Sequence, residues 1–400
     1  MIFEETNVTT SVKERFLSVR ALTRSICRPL QTEDHVVQPV VDVSPPKWHM
    51  GHTTWFFETF ILKAFAPEYR EFDPAFGFLF NSYYNTVGDR VQRDHRGFMT
   101  RPTLQEVHAY RDYVDAQLIT FLDSQAASDQ WTTIAPVLEV GLQHEQQHQE
   151  LLWTDIKYIL GTQPLFPAYR EADTIDRSQP ISGSVQWIKM PRDTYVIGHR
   201  GEDFAFDNEH GLHEVLLGDY QIADQPVSNG EYLEFIEAGG YRQFQHWHDE
   251  GWKWVQENRI ESPLYWMYRD DTWWHYTLEG LKPVDRADML RHVSWYEASA
   301  FAAWKGMRLP TEFEWEAAQD RFSWGHRWEW TSSAYAPYPG YRKPEGAIGE
   351  YNGKFMVNQQ VLRGASAATS PNHSRSTYRN FFHPHLQWQY TGIRLARSQG

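Results

Sequence analysis

The sequence predicts an α+β protein of two domains, a four-helix bundle followed by an irregular mixed domain, and three observations carry that prediction. At 400 residues the chain exceeds the usual size of one domain and suits two. Up to about Leu160 it holds four long stretches of helical apolar spacing. Beyond Pro180 and Pro191 the long periodicity stops, and short extended pieces alternate with Gly-, Asp- and Pro-rich turns.

In the first helix Val12, Phe16, Val19, Leu22 and Ile26 keep a helical spacing after Thr9-Thr10-Ser11. Ser44-Pro45-Pro46 marks the next start, since proline is tolerated where a helical N–H has no partner anyway. The second helix, from Lys47, carries Trp48, Trp55, Phe56, Phe60 and Leu62 as its stripe, with His49 and His52 inside it. A Pro-, Phe-, Gly- and Asn-rich loop over 67–82 leads to Tyr83-Tyr84, and Arg90, Arg93 and Arg96 then recur every third residue. Pro102-Thr103 opens the third helix, buried through Val107, Tyr110, Val114, Leu118 and Phe121, and the fourth runs from about Ile134 to Leu160. Amphipathic helices of this number pack as a bundle. The second half is predicted to hold strands in VQWIKM, DTYVIGHR and HEVLLGDYQIA. Helices are predicted after Ser228 and Ser294, each with Glu three residues on, and after Thr311.

Composition narrows the function. A net charge of −14 argues against a phosphate-backbone partner. The single cysteine, Cys27, rules out an intrachain disulfide or a four-thiolate site; it fits a reducing compartment and is read as a small buried hydrophobe. No run of 18 apolar residues occurs, and the N-terminus lacks a basic-then-apolar order, so a soluble cytoplasmic protein without membrane or nucleic-acid partners is expected.

Chemistry concentrates in His144-Glu145-Gln146-Gln147-His148. Two histidines four apart on a helix share a face and can share a metal ion. A third ligand would come from a facing helix, with His49, His52 and His108 as candidates; spacing does not choose, but the aromatic surroundings favour the second helix. Three imidazoles suit Zn, Fe, Ni or Cu. Helical geometry turns Glu145 about 100° away from its neighbour, and Glu150 either holds an imidazole tautomer or faces solvent. In the second half Ser374, Arg375 and Ser376 offer polar groups beside the aromatics. Trp328, Trp330 and Trp388 either wall a pocket or fill the core, and Arg379 and Arg394 either serve that pocket or form internal ion pairs.

The stretches SPPKWHMGHTTWFFE, FNSYYN, RGFMTRPTLQEV and HEQQHQELLWTDIK resemble the DinB-like iron-binding bundle of the sulfoxide synthases (hercynine oxygenases) of ergothioneine biosynthesis. From about residue 185, VSNGEYLEFI, HVSWYEASAFAAWKGMRLPTEFEWEAA, WEWTSS and RGASAATSPNHSRSTYRNFFHPHLQWQYTGIRLA resemble the formylglycine-generating-enzyme domain, a fold related to C-type lectins. The resemblance implies a bundle over 1–165, a linker over 166–184 and a substrate-binding domain over 185–400. It implies a non-haem Fe(II) site of His52, His144 and His148, with His49 structural.

The activity implied joins the sulfur of cysteine to the imidazole of hercynine (Nα-trimethylhistidine), using O2 and leaving a sulfoxide. Tyr83 and Tyr84 are the implied proton donors, Arg93 and Arg96 the clamp on the donor's carboxylate, with Arg90 facing the cavity or the surface. Gln147 and Asn380 match positions that contact hercynine, and Phe381 is a candidate for its cationic head. Phe382 stands where relatives using γ-glutamylcysteine carry Asp, so free cysteine is favoured. Rival readings keep the scaffold and take γ-glutamylcysteine, histidine (ovothiol type) or a selenium donor (selenoneine type). From other classes come a non-catalytic binding protein and a zinc-dependent thiol transferase.

Overall fold

The structure is a computed structural model that describes residues 2–82, 84, 88–125, 130–170, 175–345 and 352–398, with side chains from Val12 onward. The chain divides into two units, the first comprising Met1–Arg170 and Thr369–His373, the second Glu171–Ala368 and Ser374–Gly400. The two-domain α+β expectation holds: the first unit is helical and the second mixes short helices with small sheets.

The first unit is built from α1 (Ile2–Cys27), α2 (Pro46–Phe57), α3 (Lys63–Phe65), α4 (Ala75–Phe80), α5 (Leu104–Ser124) and α6 (Trp131–Gly161). Every residue of α2 is buried, because α5 and α6 both pack against it, while α1 covers α6 and α5. Pro45 and Pro46 start α2 where no backbone N–H is needed. A π turn over Glu58–Leu62 carries the chain on to α3. Its first residue, Glu58, is buried and accepts the hydroxyls of Tyr69 and Tyr110, each at 2.5 Å. Thr103 caps α5 in a reciprocal box with Glu106.

Two glycines set how closely helices approach. A Cβ on Gly141 of α6 would fall 2.7 Å from the Phe57 ring, and one on Gly51 of α2 would collide with the ring of Phe80 at the end of α4. Bare backbone at both places lets α2 sit tightly against α6 and α4.

On the α1 side of α6, Glu145 is fully buried. It accepts from Arg20 at 2.9 Å, from the Thr23 hydroxyl at 2.6 Å and from Arg111. Burial alone would raise its carboxyl, but the Arg111 and Arg20 guanidiniums outweigh that and hold it at about 2. Charge and hydrogen bonds close on themselves here, as a buried carboxylate requires.

In the second unit β1 (Trp187–Met190), β2 (Asp193–Ile197), β3 (His213–Leu217) and β4 (Tyr220–Ala223) precede α7 (Asn229–Glu237) and α8 (Asp249–Asn258). The meander of β5 (Trp266–Arg269), β6 (Thr272–Thr277) and β7 (Gly280–Pro283) leads to α9 (Trp295–Trp304) and α10 (Glu312–Ala318). Last come β8 (Trp328–Ala334), β9 (Gln360–Gly364), β10 (Asn380–Phe382), β11 (Thr391–Gly392) and β12 (Ala396–Ser398). The largest sheet has the order β10-β9-β8-β11. The caps expected at Ser228 and Ser294 form reciprocal boxes, and Thr311, where only a helix start was expected, forms one as well.

The aromatic tract WEWTSS is strand β8, and its tryptophans are core: Trp328 and Trp330 are fully buried, and Trp388 nearly so. The arginines beside them pair internally, Arg394 with Glu329 and Arg379 with Glu312. Of the two readings open for these residues, packing is the one the structure supports.

Candidate metal centre

His52 on α2 and His144 and His148 on α6 converge in the first unit, all three buried, with one ring nitrogen of each within 4.8 Å of the others. His144 and His148 meet because four residues make about one helical turn. His52 reaches them because α2 packs against α6, where Gly141 admits the rings of Phe56 and Phe57.

Hydrogen bonds settle which nitrogen His52 and His148 offer. His52 Nδ1 lies 2.6 Å from the Phe80 carbonyl, which can only accept, so Nδ1 carries the proton and Nε2 is left with its lone pair. That Nε2 is 3.1 Å from Nε2 of His144. His148 Nδ1 lies 2.8 Å from Nδ1 of His49, which leaves Nε2 of His148 for the centre. Burial, reinforced by the neighbouring imidazoles, pushes His52 and His148 well below the usual histidine range. Burial likewise pushes His144 down to about 3. The rings are therefore neutral at physiological pH, the form that binds a metal. Three neutral imidazoles with no carboxylate among them fit a late first-row ion such as Fe(II).

Rings and a guanidinium stack around the triad. Trp48 lies 4.6 Å from His52 at 14° between planes, and Arg96 covers its other face at 3.4 Å. Trp55 stacks on His52 as well, at 5.6 Å. Arg96 donates to the hydroxyls of Ser44 at 2.9 Å and Ser82 at 3.0 Å. Among the described residues no carboxylate bonds to it, and its Nε finds no partner. Burial, with Arg93 and Arg90 adding repulsion, drives Arg96 well below its ordinary value. Guanidinium stays charged in proteins, so the shift means a cation that a nearby anion would relieve.

Known proteins resemble this chain in both halves. The DinB superfamily model matches residues 15–152, and the model of the sulfatase-modifying factor enzyme 1-like domain matches 188–327 and 323–399, more than half of the chain. The chain belongs to the sulfatase-modifying factor enzyme 1-like family. Relatives that match over most of both chains narrow this further. It is 27% identical to the hercynine oxygenase of Mycolicibacterium smegmatis over 88% of this chain and 91% of that protein. The hercynine oxygenase of Mycobacterium tuberculosis matches at the same identity and shares, and that of Mycolicibacterium thermoresistibile is 28% identical over 88% of this chain and 87% of that one. The formylglycine-generating enzyme of Thermomonospora curvata, 30% identical, covers 38% of this chain and 56% of its own. Among solved structures PvdO from Pseudomonas aeruginosa matches at a TM-score of 0.34 with 17% identity, over 56% of this chain and 100% of that one. This family member is homologous to hercynine oxygenases, and with its buried three-histidine face, which could hold Fe(II), it is an iron-dependent oxidoreductase.

The other expected site residues distribute as follows. Tyr84 is buried against Trp55, Phe56 and Phe60, at 5.6, 6.3 and 5.2 Å between ring centres, and Phe56 in turn packs 4.7 Å from His144. Tyr83 lies outside the described residues. Arg93 is exposed and donates to the carbonyls of Val41 and Asp42 at 3.1 and 2.8 Å, and Arg90 is exposed as well. Gln147 is half-buried on α6. Asn380, Phe381 and Phe382 form β10 of the second unit, each half-buried; Phe381 stacks on Tyr335 at 4.0 Å, and Phe382 meets Trp388 at 5.7 Å. His108 is half-buried on α5 and outside the triad. Glu150 accepts the Thr369 hydroxyl at 2.8 Å. Cys27 is buried, and burial pushes its thiol up to about 12, which suits an inert packing residue. Among the described residues no helix is long and apolar enough to cross a membrane.

Sequence reasoning passed over Asp155. It stands seven residues after His148, two helical turns on and along the same stripe, and that interval was the signal available.

Proposed function

We propose that this protein is a cytoplasmic sulfoxide synthase that couples cysteine to hercynine with dioxygen, as a step of ergothioneine biosynthesis. The observation that carries the reading is the pairing of a buried neutral three-imidazole face with Arg96, a buried guanidinium that no carboxylate meets among the described residues. The relatives' name supplies hercynine as the acceptor. In the balanced reaction the imidazole loses its C–H and cysteine its S–H. A C–S bond forms, one oxygen atom of O2 becomes the sulfoxide, and the other leaves as water with both hydrogens.

Fe(II) held by the triad supplies a redox-active centre that lifts the spin barrier to O2 and binds sulfur, chemistry no side chain provides. The protein's residues position and protonate. Arg96 receives the cysteine carboxylate, an anion that relieves its buried charge. Arg93, bonded to backbone carbonyls, and Arg90 add positive field from the same segment. The phenols of Tyr83 and Tyr84 supply the proton that reduction of dioxygen consumes, diverting the sulfur from sulfinate. Gln147, Asn380 and Phe381 serve hercynine, whose quaternary head accepts aromatic faces rather than hydrogen bonds. Phe382 offers nothing to the ammonium of a γ-glutamyl group, which favours free cysteine.

Mass spectrometry of the Fe(II)-loaded protein under ¹⁸O2 tests this, with hercynine or histidine offered against cysteine, γ-glutamylcysteine and a selenium donor. The expected product is a hercynine–cysteine adduct carrying one ¹⁸O. An oxygen-independent thioether, or no adduct in any combination, would reject the reading, and preference for another donor or acceptor would reassign its substrates.

A further inference from the structure

Beside the triad is a chain of polar contacts that reaches one ligand from behind. Asp155 is buried on α6, and its Oδ2 accepts the backbone N–H of Ser44 at 2.9 Å. The same oxygen lies 2.9 Å from Nε2 of His49, itself buried on α2. Nδ1 of His49 lies 2.8 Å from Nδ1 of His148. Two facing ring nitrogens at that distance need one proton between them, and its side decides whether His148 can bind a metal. If His49 held it, His148 would keep its own proton on Nε2 and turn an N–H toward the triad. Asp155 prevents this. Its oxygen already accepts from Ser44 and offers a lone pair to Nε2 of His49, so Nε2 of a neutral His49 carries the proton. Nδ1 of His49 is then an acceptor, Nδ1 of His148 the donor, and Nε2 of His148 a bare lone pair.

We propose that Asp155 and His49 are positioning residues that set the tautomer of His148 and thereby the metal affinity of the triad. The inference rests on the reading of His52, His144 and His148 as metal ligands, and it holds whatever the substrates are. His49 thus has a role that its place three residues before a ligand does not disclose. Ser44 links the relay onward, since its hydroxyl accepts from Arg96. One residue therefore touches both the relay and the guanidinium assigned to the substrate carboxylate.

Anaerobic Co(II) titration of the full-length metal-free protein tests the relay directly. His49→Leu and Asp155→Leu should each weaken binding about ten- to hundredfold, the range found when a ligand imidazole loses its outer partner. His49→Asn, which returns an acceptor oxygen where Nδ1 stood, should recover most of that loss. In water the Co(II)-loaded wild type should show a shifted, slowly exchanging imidazole N–H proton from His148. His49→Leu should lose it and His49→Asn keep it, a difference that general loosening of the fold would not produce. Cooperative urea unfolding identifies variants that have simply failed to fold. Wild-type affinity in folded His49→Leu, or equal weakness in folded His49→Asn and His49→Leu, would overturn the relay. Absence of Co(II) binding by the wild type would instead overturn the metal centre itself.

Discussion

Helix α6 presents two buried faces one residue apart, and they handle charge in opposite ways. On one face Glu145 is closed by Arg20, Arg111 and Thr23, each placed to satisfy an oxygen. On the other, His144 and His148 lie in the neighbourhood of Arg96, a guanidinium bonded to hydroxyls and stacked on Trp48, with no carboxylate partner among the described residues. The second unit repeats the closed pattern: Arg363 pairs with Glu316, Arg379 with Glu312 and Arg394 with Glu329. Closed charge organises the fold, whereas in the proposed function the open charge receives the substrate carboxylate.

The largest test of this contrast is Glu145→Ala. It leaves Arg20 and Arg111 buried without their shared partner, so the protein should lose about 3–5 kcal/mol in urea unfolding. Arg96→Met should behave in the reverse sense. Relief of a buried cation that meets no carboxylate among the described residues offsets the lost stack on Trp48 and the bonds to Ser44 and Ser82, so stability should move much less than in the Glu145 variant. The KM for the sulfur donor should instead rise about ten- to hundredfold, the worth of a charged hydrogen bond. Equal destabilisation by the two changes, measured side by side, would erase the distinction between the faces.

The same contrast explains what could be read from the sequence. His144 and His148 were legible because helical periodicity puts them on one face, and the bundle and capping boxes followed from equally local signals. His52, His49 and His108 could not be ranked by spacing. Choosing among them depends on Gly51 admitting Phe80 and on that residue's carbonyl, and neither contact is encoded locally. Spacing made Arg96 one of three periodic arginines and only the resemblance singled it out, together with Arg93, since whether a charge finds a partner is decided by distant chain. In the second unit α8 escaped notice because only Gly251 and Val255 are buried along it, too thin a stripe to detect. The turn from β5 to β6 did leave a trace. Asp270 and Asp271, at φ 49° and 58°, occupy a two-residue turn that Asp tolerates.

A change of pH separates the faces again. His144 titrates at about 3 in the folded protein against 6.5 unfolded, so the unfolded chain binds the extra proton first. The metal-free protein should therefore lose stability as pH falls below 6.5, by about 2 kcal/mol at pH 5 from His144 alone, with His52 and His148 adding in the same direction. Glu145 works over a lower window. Its carboxyl sits at about 2 folded against 4.5 unfolded, so its contribution is intact above 4.5 and fades below it. Loading with Fe(II) should suppress the first loss and leave the second. Thermal unfolding of metal-free and loaded protein between pH 7 and 4 checks this, and identical profiles would mean that the imidazoles do not hold the ion.

The smallest expected effect concerns a position where charge is missing altogether. Phe382, half-buried at the end of β10 with its ring 5.7 Å from Trp388, offers an ammonium neither a carboxylate nor a hydrogen-bond acceptor. If the donor is free cysteine, this apolar side chain is an unfilled version of the closed pairs seen elsewhere. Phe382→Asp should then complete a pair with the amine of γ-glutamylcysteine. A partly exposed ion pair is worth up to about 1 kcal/mol, so kcat/KM for γ-glutamylcysteine relative to cysteine should rise about two- to fivefold. Because the side chain is not fully buried, unfolding stability should change little, which separates altered recognition from general damage. An unchanged ratio in a stable variant would show that Phe382 does not meet the sulfur donor, and the preference for cysteine would have to come from elsewhere in the chain.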